Sequence, residues 1–297
     1  MNFLNDLKGR IGFGSRTKEV NREVMRERKN GYTAGNSIGE PNTFGNDYGI
    51  LVSTGNALYA YDPAADEQFE ISRSENFHIG LCLYENNLFN LSHNKDNVIL
   101  LHDFFNGQVF LLKEDCDYCS AISDGDRIYI GEENGVWKYE HDKNQAAMNI
   151  FTKISNEAIQ NLHVHNGKVL GCGQGGVYYI NEKRKMTSGP VLDMTTLNGH
   201  LIMSMTHQHG VPDKVTSRIY DWTAIKKLFD LPIHTGNLCA FDNELYFSYR
   251  SELYVLSNGG EVLCQRFTGP SDSSERITDL LAVDEKMFER VMETRHR

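Results

Sequence analysis

Residues 160–186 read QNLHVHNGKVLGCGQGGVYYINEKRKM, and this stretch decides the fold because short apolar runs alternate in it with turn residues. Residues 161–165 alternate between apolar and polar side chains in the way a half-buried strand does. Asn166-Gly167 follows, a pair that tolerates the positive φ angles of a tight hairpin turn. Residues 169–172 then form a second apolar run. The first half of the stretch therefore predicts a β-hairpin.

The second half of the stretch shows the same alternation of turns and apolar runs. Gly173-Gln174-Gly175-Gly176 turns the chain again, residues 177–181 form a third run, and residues 183–186 form a weaker fourth run. The same order of four short runs recurs in residues 238–264. The chain is thus predicted to be all-β and to be built from four-stranded antiparallel units.

A two-residue signature marks one strand of each unit: an apolar residue followed by an aromatic or branched one, after a turn rich in Gly or Asn. It occurs at Leu58-Tyr59, Val98-Ile99, Val136-Trp137, Val177-Tyr178, Ile219-Tyr220 and Leu253-Tyr254. Their first residues lie 40, 38, 41, 42 and 34 positions apart. A period near 40 in an all-β chain indicates a tandem array with four strands per repeat.

This pattern resembles the β-propeller superfamily, in the broad WD40-like or quinoprotein-like sense, over residues 47–283. The resemblance is one of repeat pattern, and it indicates no narrower family. It implies a single ring of four-stranded blades around a central channel.

The ends of the repeat region predict how the ring closes. The first unit begins at Tyr48 with the pattern of a second strand, whereas residues 277–283 have the pattern of a first strand. The C-terminal strand is therefore expected to complete the first blade, which removes two exposed sheet edges. Six blades are the favoured count, and the alternative of seven would need strands from residues 1–46.

The two chain ends outside the repeats have different patterns. Residues 1–46 are predicted to be an N-terminal extension, partly helical or irregular, and residues 47–297 to be the propeller. Residues 285–297 pair Met287 with Val291 at the spacing of a helical face, although a strand that continues the last blade is the alternative.

Charge and hydropathy exclude some classes of partner. Thirty Lys and Arg against forty Asp and Glu give a formal net charge of −10, which disfavours nucleic acid and anionic lipid as partners. No stretch approaches the roughly 18 apolar residues of a membrane span, and the first residues lack a signal-peptide pattern. We therefore expect a cytoplasmic protein without a membrane span.

Metal and cofactor motifs are weak in this chain. No nucleophile elbow, phosphate-binding glycine loop or His-Glu-x-x-His motif occurs. Three close pairs of residues have side chains that ligate metals: Cys116/Cys119, His163/His165 on a predicted strand and His207/His209 in a predicted loop. A thiolate zinc site normally needs four ligands, so a buried thiol is the favoured interpretation of each cysteine. No cofactor or metal is assigned from these pairs.

One candidate site follows the repeat itself. Alignment of the predicted first strands places an amide or carboxylate at one equivalent position in four units: Asn161, Asp193, Asn237 and Asp279. Such positions lie near one mouth of a propeller channel, so these side chains are candidates for binding a divalent cation or a polar ligand. The alternative is that each side chain bonds the backbone of its own turn.

Two functions are compatible with these features. The favoured hypothesis is a non-catalytic propeller that acts as a protein-interaction scaffold or binding module, through one face or the rim of the ring. Candidate anchors are the aromatic residues Tyr220, Trp222 and Tyr249.

The alternative is a metal-dependent hydrolase of the six-bladed, lactonase-like type. This resemblance implies a cation at the channel mouth that is bound by Asp193 and Asp279, with Asn161 and Asn237 completing its oxygen shell.

Overall fold

The computed structural model describes residues 47–96, 98–113, 120–140, 150–208, 215–231, 233–256, 262–265 and 276–295. The predicted N-terminal extension, residues 1–46, lies outside these residues, as does the Cys116/Cys119 pair.

The described residues form short strands and one helix. In chain order the strands are β1 Asp47–Thr54, β2 Ala57–Asp62, β3 Glu67–Arg73, β4 Phe77–Tyr84, β5 Asn87–His93, β6 Ile99–Asp103, β7 Gln108–Lys113, β8 Ser120–Ser123, β9 Ile128–Glu132, β10 Gly135–Glu140, β11 Ile150–Ser155, β12 Asn161–His165, β13 Lys168–Gly173, β14 Gly176–Tyr179, β15 Arg184–Thr187, β16 Val191–Leu197, β17 His200–Gln208, β18 Val215–Asp221, β19 Lys226–Leu231, β20 Leu238–Phe241, β21 Glu244–Tyr249, β22 Glu252–Leu256, β23 Val262–Gln265 and β24 Ile277–Asp284. The helix, α1, is Glu285–Thr294.

Among the described residues these strands make six antiparallel sheets of four strands each, and we number the sheets as blades 1 to 6. Blade 1 has the strand order β24-β1-β2-β3, and blades 2 to 6 each use four consecutive strands, starting from β4, β8, β12, β16 and β20. The first strands of neighbouring blades pack against one another around the ring. The predicted six-bladed propeller is therefore confirmed, and six rather than seven is the correct number of blades.

Ring closure also follows the prediction. The C-terminal strand β24 pairs antiparallel with β1, with Leu281 opposite Leu51 and Asp279 opposite Ser53. Blade 1 thus takes its first strand from the C-terminal end of the described chain and its other three strands from the N-terminal end. This pairing covers the edge that β1 would otherwise expose.

The hydrophobic core is distributed between the blades. Each apolar cluster combines side chains of neighbouring blades, as where Leu170 and Val177 of blade 4 meet Val191 and Met203 of blade 5. The two faces of each sheet therefore contribute to different clusters, because side chains alternate along a strand.

Two local predictions need correction. The third strand of blade 4 ends at Tyr179 rather than at residue 181, because the Ile180 carbonyl accepts a hydrogen bond from the Lys183 N–H at 3.3 Å and so begins the turn. His207 was assigned to a loop but lies in β17, opposite Thr216 of β18. Strands β17 and β18 are therefore neighbours within blade 5.

The C-terminal ambiguity is resolved in favour of a helix. The side chain of Asp284 caps α1 by accepting a hydrogen bond from the Met287 N–H at 2.8 Å. Phe288 packs on β1, where a Cβ added to Gly49 would lie 2.2 Å from its ring. This close approach of the ring to the backbone requires glycine at that position.

The turns of the blades define two faces of the ring. In a four-stranded antiparallel sheet the first and third turns lie at one end and the second turn lies at the other. We call the face with the first and third turns the AB face, and the face with the second turns the BC face. Helix α1 follows the end of β24 and therefore lies at the AB face.

Candidate functional site

The four predicted site residues occupy equivalent places near the starts of their first strands, toward the BC face. Asn161, Asp193 and Asp279 lie opposite Cys172, Ser204 and Ser53 of their second strands. The Asn237 carbonyl accepts a hydrogen bond from the N–H of the second-strand residue Ser248 at 2.9 Å. Blades 2 and 3 have Gly80 and Ser120 at this position. A Cβ added to Gly80 would lie 3.3 Å from the backbone nitrogen of Ala121 in the next blade.

Both carboxyl groups bridge to the following blade. Asp279 Oδ2 accepts a hydrogen bond from the Leu81 N–H of blade 2 at 2.7 Å, and Asp279 Oδ1 accepts one from its own neighbour Leu280 at 2.8 Å. Asp193 Oδ2 accepts a hydrogen bond from the Leu238 N–H of blade 6 at 2.6 Å. Each carboxyl therefore acts as a clamp between adjacent first strands.

The two amides behave differently from each other. Asn161 Nδ2 donates a hydrogen bond to the Leu192 carbonyl of blade 5 at 2.7 Å, which makes a third clamp. Asn237 bonds through its backbone, since its N–H donates to Ser248 Oγ at 2.8 Å. The structure thus shows bonds to the next blade for three of the four side chains. A shared ligand remains a prediction for this set.

Burial changes the protonation of the clamp carboxyls. It raises the pKa of Asp193 to about 8 and that of Asp279 to about 7, although backbone N–H donors oppose the shift in both. The charge of Asp279 raises the pKa of Asp193 further. Burial disfavours the ionised form, so both groups hold a proton up to near-neutral pH. Among the described residues, no group of three or more His, Cys, Asp or Glu is placed to hold a metal ion.

The two histidines that share a face of β12 meet at one hydroxyl of blade 5. His163 Nε2 lies 2.8 Å and His165 Nδ1 lies 2.9 Å from Thr196 Oγ1. A hydroxyl has one proton, so Thr196 donates to one ring nitrogen and accepts an N–H from the other. Nearby, His200 Nδ1 lies 2.7 Å from Asp221 Oδ2.

The two histidines of β12 are held neutral. Burial, with a smaller contribution from the neighbouring His165, lowers the pKa of His163 to about 3. Burial and the neighbouring His200 lower the pKa of His165. The cluster therefore joins blades 4 and 5 through neutral hydrogen bonds at physiological pH.

His78 of β4 lies buried in blade 2. Burial, aided by His102, lowers its pKa to about 4. Its Nδ1 has no hydrogen-bond partner among the described residues, and Ser92 bonds His102 at 2.9 Å beside it. This position keeps His78 from contact with solvent.

The aromatic candidates fall on two faces of the ring. Tyr220 and Trp222, with ring centroids 6.2 Å apart, lie at the end of β18 and in the turn after it, at the AB face. Tyr249 lies at the end of β21, at the BC face, where Arg250 lies 5.4 Å from its ring. The structure therefore groups Tyr220 with Trp222 and separates Tyr249 from both.

The sequence analysis missed two further residues near Tyr220 and Trp222. Ile225, in the same turn as Trp222, is 79% exposed. Tyr179 of blade 4 packs partly into the same apolar cluster as Trp222 and lies between Lys168 and Arg184, at 5.1 and 4.5 Å from its ring centroid. The Tyr178-Tyr179 doublet before a basic run was the signal available for Tyr179. A single isoleucine in a turn offered no such signal.

The buried cysteines agree with the sequence interpretation. Cys82, Cys172 and Cys239 are buried in the core, and Cys82 and Cys172 are free thiols. Burial raises the pKa of the Cys172 thiol well above its usual range, so it is unreactive as a nucleophile in the folded protein.

Comparisons with known proteins support the fold and go no further. No family model matches the sequence, and no curated protein matches it. The structure is similar to a chain in the crystal structure of a nidogen/laminin complex, with a TM-score of 0.58 and 10% identity over 78% of this chain and 97% of that chain. Within the described residues, no helix has the length and apolar character needed to cross a membrane. The chain is a six-bladed β-propeller, and this likeness indicates no narrower family.

Proposed function

We propose that this chain is a non-catalytic protein-interaction module of a cytoplasmic scaffold, and that it docks its partner on the AB face of blades 4 and 5. The observation that carries the proposal is that Tyr179 and Trp222 are partly exposed members of one apolar cluster and that Ile225, in the same turn as Trp222, is 79% exposed; we call these three residues the blade 4–5 surface. Exposed aromatic and aliphatic groups that lie together are typical of protein-binding sites.

The charges around the blade 4–5 surface indicate the chemistry of the partner. Lys168 and Arg184 flank Tyr179, and Lys226 follows the turn that carries Ile225. Glu182 pairs with both Lys168 and Arg184, at 2.6 and 3.2 Å, and neutralises part of their charge. This local basic character contrasts with the net charge of −10. We infer that the partner presents an acidic segment that includes an apolar side chain.

A peptide-binding measurement tests the proposal. The probes are fluorescein-labelled peptides that contain one Trp or Leu among Asp and Glu residues, with Asn/Gln versions as neutral controls. We expect micromolar binding of the acidic peptides by fluorescence anisotropy, at least fivefold weaker in Ile225→Ser or Arg184→Glu. Higher salt should weaken this binding, because exposed charges are screened.

Val109→Ser is the matched control, because Val109 is also exposed but lies on blade 2. It should bind the peptides like the unaltered protein. Equal binding of acidic and neutral peptides, or equal losses in Ile225→Ser and Val109→Ser, would contradict the proposed surface.

The hydrolase alternative has one observation in its favour. Asp193 and Asp279 are close enough for the charge of one to raise the pKa of the other, as expected for two carboxyls that could share a cation. Against it, the oxygens of both carboxyls already accept backbone hydrogen bonds. Calcium-dependent thermal stabilisation that disappears in the double Asp→Asn variant would favour the hydrolase.

A further inference from the structure

A cavity of about 230 Å³ lies beside the turns of blade 2 that belong to the AB face. Since one water takes about 30 Å³ of liquid volume, the cavity has room for an organic group of several heavy atoms. Its walls include the rings of Tyr84, Phe89 and Phe110. Tyr84 and Phe89 are buried side chains, with ring centroids 6.1 Å apart, and they form a fixed apolar wall.

Carboxylates and amides complete the lining. Asp103 is 5% exposed and is held by its turn, where Oδ1 accepts hydrogen bonds from the Phe105 and Asn106 N–H groups at 3.2 and 3.1 Å. Glu85 is exposed at the edge of the cavity. The side-chain amides are those of Asn87, Asn106 and Gln108. Asn87 Oδ1 accepts a hydrogen bond from Arg290 of α1 at 3.3 Å, and Asn106 Nδ2 donates to Asp103 Oδ2 at 2.8 Å. The carbonyl oxygens of Asn106 and Gln108 can accept further hydrogen bonds.

The electrostatic surroundings of the cavity are negative. No lining residue is a lysine or arginine. After burial itself, the charges of Glu85, Asp126 and Asp124 raise the pKa of Tyr84, so carboxylates of blade 3 act on the same wall.

Two cations lie nearby without lining the cavity. Arg290 of α1 donates to the Asn86 carbonyl at 2.5 Å and lies over the Phe105 ring at 3.7 Å. Arg127 lies between Asp126 and the first residue of β9. The four carboxylates of Glu85, Asp103, Asp124 and Asp126 outnumber these two cations.

We propose that this cavity is a binding site for a positively charged amine, of the kind that ends a lysine side chain. Aromatic faces attract cations, and the attraction is stronger when the cation is partly desolvated against them. The carboxylates supply the opposite charge, and the amide oxygens accept the N–H donors of the ammonium group. A phosphate or carboxylate ligand would meet repulsion from the same groups.

This site is separate from the blade 4–5 surface and does not depend on the proposed function. The amine has two sources, a free small amine or the lysine side chain of another protein. Binding of n-butylammonium shows that the cavity takes the group, and tighter binding of Nα-acetyl-lysine amide favours a protein source.

NMR titration of the full chain tests the proposal, with the side-chain amide signals of Asn87, Asn106 and Gln108 as reporters. We expect n-butylammonium to shift these signals with at least tenfold higher affinity than neutral n-butanol. Acetylation of the lysine amine should abolish the effect of Nα-acetyl-lysine amide. Equal affinity for the charged and the neutral probe would overturn the proposal.

Variants link the binding to the cavity. Glu85→Gln should weaken n-butylammonium binding about threefold, and Glu85→Gln combined with Phe110→Leu at least tenfold. Glu133→Gln removes the same charge from an exposed site at the BC face of blade 3 and should leave the affinity unchanged. If Glu85→Gln and Glu133→Gln change the affinity for n-butylammonium equally, the amine binds by general surface charge and the proposed site is wrong.

Discussion

The AB face differs sharply between blades 1 and 2 on one side and blades 4 and 5 on the other. At blades 1 and 2, helix α1 buries Met287, Phe288 and Val291 against the strands. Over blades 4 and 5 no described residue plays this part, and Ile225 is left 79% exposed. The AB face of a blade can therefore be buried under a packed helix or leave apolar side chains exposed to solvent, depending on what packs on it.

The backbone of the repeat is the same in both regions. In blades 1, 4 and 5 the register shifts at the same signature pair, Leu58-Tyr59, Val177-Tyr178 and Ile219-Tyr220. The surroundings of the aromatic residue differ: Tyr59 is 3% exposed and lies opposite Glu70, whereas Tyr178 and Tyr220 are half-buried and lie opposite lysines. The exposure of the aromatic residue is thus a property of its neighbours.

The largest expected effect comes from removal of the element that covers and closes blade 1. Deletion of residues 277–297 removes β24 and α1, which opens the ring and exposes the edge of β1. We expect loss of cooperative unfolding in urea, followed by circular dichroism. Deletion of residues 1–43 removes no described strand and should have a much smaller effect. Equal tolerance of the two deletions would show that closure by β24 is not needed.

A pair of single substitutions compares the covered and the open regions directly. Phe288→Ala should destabilise the protein by about 3 to 5 kcal/mol, because it removes a buried ring from a packed interface. Ile225→Ser should change stability by less than about 0.5 kcal/mol, since the side chain lies mainly in solvent. Urea denaturation measures both. Similar losses in the two variants would mean that the blade 4–5 surface is part of the core.

The carboxyl clamps should make stability fall as pH rises. Asp193 and Asp279 have folded pKa values of about 8 and 7, raised from 3.8. The folded state then binds these protons more tightly than the unfolded state. This contribution is complete below about pH 4 and is lost as pH rises through 7 and 8. In Asp193→Asn and Asp279→Asn, thermal unfolding should depend less on pH in the range 4 to 8.

Asp96→Asn is the control for this experiment, because Asp96 is exposed in a turn of blade 2. It should keep the pH dependence of the unaltered protein. An unaltered slope in both clamp variants would show that the carboxyls are already ionised at neutral pH.

The imidazole contacts between blades 4 and 5 should respond in the opposite direction, with a smaller effect. The pKa of His163 is lowered to about 3 from 6.5, so its contribution is complete above pH 6.5 and is lost as pH falls toward 3. His163→Gln should reduce the acid-side loss of stability, measured by thermal unfolding between pH 7 and 4. His234→Gln, at an exposed position, should not reduce it. If His163→Gln loses as much stability between pH 7 and 4 as the unaltered protein does, groups other than His163 cause that loss.

The strands and their closure could be predicted because the signals are local. Asn166-Gly167 specifies a hairpin turn from two residues, and alternation along residues 161–165 specifies a half-buried strand. The same locality explains why the first-strand pattern of residues 277–283 predicted pairing with β1. For α1, the spacing of Met287 and Val291 favoured a helix, but the decision depended on packing against blade 1.

The contacts of the candidate sites could not be predicted in this way. The sequence indicated that Asp193 and Asp279 occupy equivalent places, yet the partner of Asp193 is the N–H of Leu238, 45 residues away. His163 and His165 were visible as a pair on one face, whereas Thr196 became their common partner only when blade 5 packed beside blade 4.

Sequence by itself determined the six repeats, their four strands and the closure by β24, because turn chemistry and side-chain alternation act over a few residues. Only the tertiary structure decided which residues meet between blades, which aromatic rings stay exposed, and that Tyr84, Phe89 and Phe110 line one cavity. The physical reason is that these contacts depend on how neighbouring blades pack. Packing combines side chains tens of residues apart, and no local pattern encodes their distances.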